Sequence, residues 1–180
     1  MDIHLDLHID FGPPLPLSEV EGRRHELPRH GVYFLLQDHA GGNEATAFDP
    51  AVVYIGKALG ESIFSRCRKH FWDVMDARSR SRENKAVPAD AFRAFGESIN
   101  FDPSLVWIVA AQMDPDKPYL ISFVHDYLLF EFARRHERFP LLNAAGWRGW
   151  SESGERKRRK AAEALHKKRL RELFERIQEA

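Results

Sequence analysis

The chain holds a single cysteine, Cys67, in 180 residues. That excludes an internal disulfide and any zinc site built from several thiolates, and it fits a reducing compartment. No apolar run comes near the roughly 18 residues that a membrane helix requires. The first ten residues, MDIHLDLHID, have neither a basic start nor an apolar centre. No secretory leader is expected there, and a cytoplasmic location is. Net charge is missing as well. The 27 basic and 27 acidic residues cancel, so the whole chain is not a generic binder of polyanions. No internal repeat is found. What is present is an ordinary composition, 43% hydrophobic, long enough for one domain with a real core and an appendage.

Three regions follow from the pattern: 1–30, 31–146 and 147–180. In the first, Ile3, Leu5, Leu7 and Ile9 alternate with Asp2, His4, Asp6, His8 and Asp10. Period two predicts a half-buried strand. His4, Asp6 and His8 have the chemistry of a metal patch, although a solvated strand face explains them more simply. The run GPPLP within 11–17 breaks any strand, and 18–29 reads as loop or one short helix.

The second region opens on two β-type runs, GVYFLLQD from Gly31 and AVVYIGK from Ala51, joined by a polar loop with two glycines. This predicts an antiparallel hairpin. Helical periodicity follows over 60–77, with Ile63, Cys67, Val74 and either Phe71 or Trp72 on one face. On that helix Arg66 and His70 are four apart and project together. Cys67 reads as helix core and not as a nucleophile. Residues 78–87 predict an exposed loop, 88–99 a short helix and 104–113 an interior strand. Residues 119–138 predict the longest apolar helix, which Phe139–Asn143 closes at its proline. The expected architecture is α/β in the α+β sense. A small three-stranded antiparallel sheet is flanked by helices, with the N-terminal strand as a candidate fourth member. The third region is a Gly/Trp linker and a charged helix. Between 156 and 171 nine basic residues meet Glu163 alone, a local charge of +8. Arg156, Lys157, Arg158, Arg159, Lys160, Lys167, Lys168 and Arg169 are the residues expected to contact a phosphate backbone. The plainer reading is a solvated helix with Leu170, Leu173, Phe174 and Ile177 on the core side.

Several polar groups exceed what these patterns need. Gly31-Val32-Tyr33 and Tyr54-Ile55-Gly56, followed by Arg66, His70, Glu131 and Asn143 in that order, resemble the GIY-YIG nuclease superfamily over residues 31–143. Valine stands where the family's first tripeptide usually has isoleucine, and the loop between the tripeptides is longer than is common. The resemblance implies a divalent-metal-dependent endonuclease that hydrolyses phosphodiester bonds, with DNA the expected substrate. In it Glu131 is the ligand of Mg2+ or Mn2+. Tyr33 activates or orients the attacking water, and Asn143 orients a loop or ligand. For Asn143 a cap on the preceding helix serves equally well.

The residue types suit those roles. Magnesium can rest on one carboxylate, with waters and substrate phosphate completing its shell. Glu131 sits among apolar neighbours in LLFEF, where an unpartnered charge is costly. It could instead face solvent or pair with Arg134 or Arg135. Arg66 offers a planar fork for phosphate oxygens, and His70 a proton shuttle near neutrality or a hydrogen bond to the scissile phosphate. A phenol with a pKa of about 10 is a poor base, so Tyr33 needs a nearby cation or metal, and Lys57 is a candidate. Tyr54 completes the expected catalytic set. Two rivals keep the same residues in view: a nucleic-acid-binding module with this fold and no catalysis, and a partner-binding protein that uses the last helix. No membrane partner is expected. One site cuts one strand, so double-strand cleavage calls for a homodimer or two events.

Overall fold

The computed structural model describes residues 8–38, 45–75, 89–144, 160–161, 164–165, 167–172 and 175. Residues 2–7 of the alternating N-terminal run, the 78–87 loop, the Gly/Trp linker and Arg156 to Arg159 lie outside them.

Four strands form one antiparallel sheet in the order β1-β4-β2-β3. They are β1 (Leu15–Pro16), β2 (Gly31–Gln37), β3 (Val52–Ala58) and β4 (Val106–Gln112). The expected hairpin is β2–β3, and β4 is an interior strand on the other side of β2. The fourth strand differs from expectation. The proline-rich stretch itself pairs with β4, Leu15 opposite Ile108 and Pro16 opposite Trp107. Upstream, Phe11 bridges to Ala111. Proline lacks the N–H of a ladder donor, and a sheet edge is where that loss is tolerated.

Helices cover both faces, which is why β2 reads as a nearly continuous apolar run. Tyr33 and Leu35 point into one core cluster with Ile108, Ala110, Ile63, Cys67 and Phe95. Val32, Phe34 and Leu36 point into the other with Val109, Ile121, Val124, Leu128 and Phe132. The first face therefore belongs to α1 (Ile63–Met75) and α2 (Ala89–Ser98), and the second to α3 (Pro118–His136). The Ser62 side chain caps α1 by accepting from Ser65 N at 3.1 Å. Ile63, Cys67, His70 and Val74 form its fully buried stripe. Phe71 packs at the stripe's edge, while Trp72 remains exposed. Proline in the first turn of α3 costs no ladder bond. Beyond α3 the chain makes the short α4 (Leu141–Ala144), whose Leu142 is buried in the α1–α2 cluster. This last turn thus carries the chain from the α3 side to the other side, around the free edge of β3. Among the described residues no helix is long and apolar enough to cross a membrane.

Two irregularities fix the hairpin. Leu35 pairs with Tyr54 and Leu36 with Val52, so Val53 is an extra residue, and Val53 and Tyr54 both enter the α1-side core. Gly31 has φ +144°, and a Cβ there would lie 2.0 Å from the carbonyl oxygen of Ala111 on β4. Gly31→Ala is expected to cost about 2–5 kcal/mol, backbone strain and overpacking together. Urea denaturation measures it, and a loss below about 1 kcal/mol would remove Gly31 as a constraint on the sheet.

Candidate active site

The β2–β3 register sets Tyr33 opposite Gly56. A Cβ on Gly56 would lie 2.4 Å from Cζ of Tyr33 and 2.7 Å from Cε1 of Tyr54. The missing side chain is therefore the space in which the two rings pack, with centroids 6.0 Å apart. His70 completes the group from α1. Its ring centroid is 4.9 Å from that of Tyr54, edge to face, and its Nε2 is 2.8 Å from Tyr33 Oη. Tyr33 and His70 are sealed from solvent at 0% and 1% exposure, and Tyr54 is nearly so at 8%.

Burial decides the protonation of this group. It pushes the Tyr33 phenol well above its ordinary range, with further increases from Tyr54 and Cys67 and a weaker opposing pull from Arg66. It pushes the His70 imidazole down to about 3, helped by the positive charges of Arg66 and Lys69. At neutral pH both members are uncharged, and the hydrogen bond between them joins a phenol to a neutral imidazole. The cation that the sequence asked for near Tyr33 is Arg66, and its influence is smaller than that of burial.

Arg66 stands beside this cluster, 30% exposed, with its Nε 2.7 Å from Glu61 Oε1. Lys69 Nζ holds the other oxygen of Glu61, also at 2.7 Å. Glu61 escaped the sequence reading. It precedes the helix at offsets of five and eight residues from its partners, which match no helical pairing rule.

Strand alternation sends Lys57 elsewhere. Lys57 pairs with Val32, whose side chain faces α3. Its Nζ donates to Ser122 Oγ at 3.2 Å, and burial lowers its pKa against the opposing pull of Asp126. The structure therefore does not bring Lys57 to Tyr33, and its role as the cation lowering the phenol pKa is corrected. Asn143 caps no helix. Its Oδ1 accepts from Ile55 N at 2.7 Å and its Nδ2 donates to Ile55 O at 2.9 Å, so it stands in for a neighbouring strand at the open edge of β3. Glu131 projects from α3 and is held by Arg134, whose Nε and Nη2 donate at 3.1 and 2.8 Å, with Arg135 at 3.7 Å. Arg134 holds its carboxyl below the usual carboxylate range.

Among the described residues no three His, Cys, Asp or Glu side chains converge as metal ligands. A magnesium ion at Glu131 would rest on that single protein carboxylate, which the ion's preference for water and phosphate oxygens permits. Arg134, 60% exposed, is the partner it would displace.

The basic C-terminal segment divides. Lys160, Lys167 and Lys168 are exposed. Arg169 is turned inward, 3.4 Å from Asp126 Oδ2 and bonded to Glu172 at 2.9 Å, and Leu170 packs on the α3-side core. Arg169 links the helix to α3, so the guanidinium expected to contact phosphate is engaged by Asp126 and Glu172. Sequence spacing showed the charges but not which of them meets a partly buried acid 43 residues earlier.

The His70 state predicts a pH dependence. The folded protein refuses a proton that the unfolded chain accepts below pH 6.5. The contribution is therefore fully present above 6.5 and is lost as pH falls toward about 3, by about 1.4 kcal/mol per pH unit. His70→Gln keeps a polar partner for Tyr33 and cannot titrate. Its stability should fall less steeply than wild type between pH 6.5 and 5 by up to that slope. Parallel curves from urea melts would reject a buried neutral imidazole.

No family model, curated protein or solved structure matches this chain.

Proposed function

We propose that the chain is a divalent-metal-dependent endonuclease that hydrolyses DNA phosphodiester bonds in the cytoplasm, using Mg2+ or Mn2+. The observation that carries this reading is the convergence of Tyr33, Tyr54 and His70, from three separate elements, into one hydrogen-bonded ring cluster with Arg66 beside it. Asn143 fastens the same tripeptide strand at Ile55. An aliphatic core would fill the same space, so the hydrogen-bonded rings are more than packing requires.

In this reading the parts divide by exposure. Arg66 reaches solvent and takes a phosphate oxygen in place of Glu61. Tyr33 and His70, sealed and neutral, act as positioning residues. They hold Tyr54 and the β3 edge at a fixed place and exclude water behind them. Storage of a proton on His70 is disfavoured by the same burial. Glu131, on the helix that covers the opposite face of the sheet, would hold the metal, which would neutralise phosphate charge and acidify a water. Lys160, Lys167 and Lys168 add attraction for the backbone. A homodimer would place two such sites on two strands.

A second reading, a nucleic-acid-binding module without catalysis, is favoured by one observation. Glu131 and Arg66 are each already engaged by protein partners, Arg134 and Glu61.

Incubation with plasmid DNA separates the two. Nicking that requires Mg2+ and stops with EDTA is expected for wild type. It should be abolished in Glu131→Gln and reduced about a hundredfold or more in Arg66→Ala. DNA binding with no metal-dependent nicking selects the second reading, and nicking that persists in Glu131→Gln removes Glu131 as the ligand.

A further inference from the structure

Helix α1 has a second polar and aromatic face. Residues two apart on a helix are rotated by about 200°, so Arg68 and Trp72 stand away from the side that carries Arg66 and His70, with Phe71 at the edge of the buried stripe. Between this face and the 3-10 turn Leu17–Glu19 lies a cavity of about 340 Å3. Leu17 and Val20, both buried, are its floor. Phe71 and Trp72 are its walls, their rings meeting edge to face at 5.4 Å. Its rim is polar: the Ser18 hydroxyl, and the Glu21 carboxylate 3.3 Å from the Arg68 guanidinium with both side chains more than half exposed. Trp72 is 41% exposed. Docking of α1 rests on the buried stripe through Ile63, Cys67, His70 and Val74.

Shape and chemistry restrict the occupant. Ligand cavities run from about 300 to 1,000 Å3, so this one takes a single ring system and not an extended chain. The walls favour a flat apolar face. The rim presents an acceptor, a donor fork and a hydroxyl that serves as either, which suits a ring whose edge carries both donors and acceptors. A saturated hydrocarbon would use the walls and leave the rim idle. We infer that this cavity takes one unstacked nucleobase of a single-stranded nucleic acid, stacked on Trp72, with Glu21 and Arg68 exchanging their mutual contact for the base edge. The inference rests on the proposed reading of nucleic acid as the partner, and adds that a base is gripped apart from the phosphate groups that Arg66 would hold.

The test uses the full chain in EDTA, so that nothing is cut. Binding of a labelled short single-stranded oligonucleotide is compared by fluorescence anisotropy with that of an abasic sugar–phosphate strand of equal length and charge. Wild type should prefer the base-bearing strand by roughly five- to a hundredfold. Trp72→Ala should bring both strands to one affinity, and Trp72→Phe should retain most of the preference. Ser18→Leu, which fills the mouth from an exposed position, should abolish the preference without touching α1. Equal binding of the two strands by wild type overturns the inference, as does a full preference in Trp72→Ala or Ser18→Leu. Cleavage is read separately in Mg2+. A Trp72-dependent base preference without cleavage keeps this inference and rejects the nuclease reading, whereas cleavage without a base preference does the reverse.

Discussion

The Tyr33 ring lies where any side chain at position 56 would have to be. That one steric condition links most of the molecule. It requires glycine at position 56, and it sets the spacing between β2 and β3 at the point where their two tyrosines meet. It also leaves the phenol oxygen pointing at α1, where His70 receives it at 2.8 Å. A larger residue at 56 would move the ring and break the contact with His70 inside a sealed core, where losing a hydrogen bond costs about 1–3 kcal/mol. Gly31 does the matching work on the other side of β2, against the Ala111 carbonyl. The central strand is therefore clamped between two glycine-dependent close approaches, and α1 takes its position from the strand so fixed.

Around that neutral centre the charges are satisfied locally. Glu61 holds Arg66 and Lys69, Glu21 meets Arg68, Glu131 is held by Arg134 and Arg135, and Arg169 lies between Asp126 and Glu172. The even total of 27 against 27 is thus met at these positions by opposite charges in contact, in ratios of one to one or two to one. The pairs differ in what they do. Most are surface pairs of the kind worth about 0–1 kcal/mol. The Arg169–Asp126 pair involves an aspartate side chain only 10% exposed, and with Leu170 it decides where the last helix sits.

Much of the fold was legible in the sequence because pattern reports burial directly. The hairpin, the interior strand at 106–112 and the long helix from 118 all come from apolar runs of the right period and length. The β1 edge was not legible. Prolines argue against a strand in general, and their tolerance at an edge depends on a neighbour that sequence does not name. The candidate site was legible as a set of residues more than as an arrangement. Tyr33, Tyr54 and His70 do meet, and the spacing of Arg66 from His70 puts the guanidinium beside them. Lys57 follows Gly56 in the chain and faces the other side of the sheet, as period two dictates once the register is known. The two hydrogen bonds from Asn143 to Ile55 span 88 residues, and no local rule anticipates them.

The contrast between the sealed pair and the charged rim bears on how such a site can work. Hydrogen-bonded neutral groups inside a core are held rigidly, since every alternative leaves a polar atom unsatisfied. Ion pairs open to solvent are exchanged more cheaply, since each contributes little to stability. On the nuclease reading, Arg66 moves from Glu61 to phosphate and Glu131 from Arg134 to a cation, while Tyr33, His70 and Gly56 do not move. Each exchange frees a group of opposite sign to find water, so the bound state owes its strength to the new partner and not to any charge left waiting. Recognition then resides in the groups that can change partners, and geometry in those that cannot. The glycines of the two tripeptides belong to the second class, which is why they are required although neither carries a functional group.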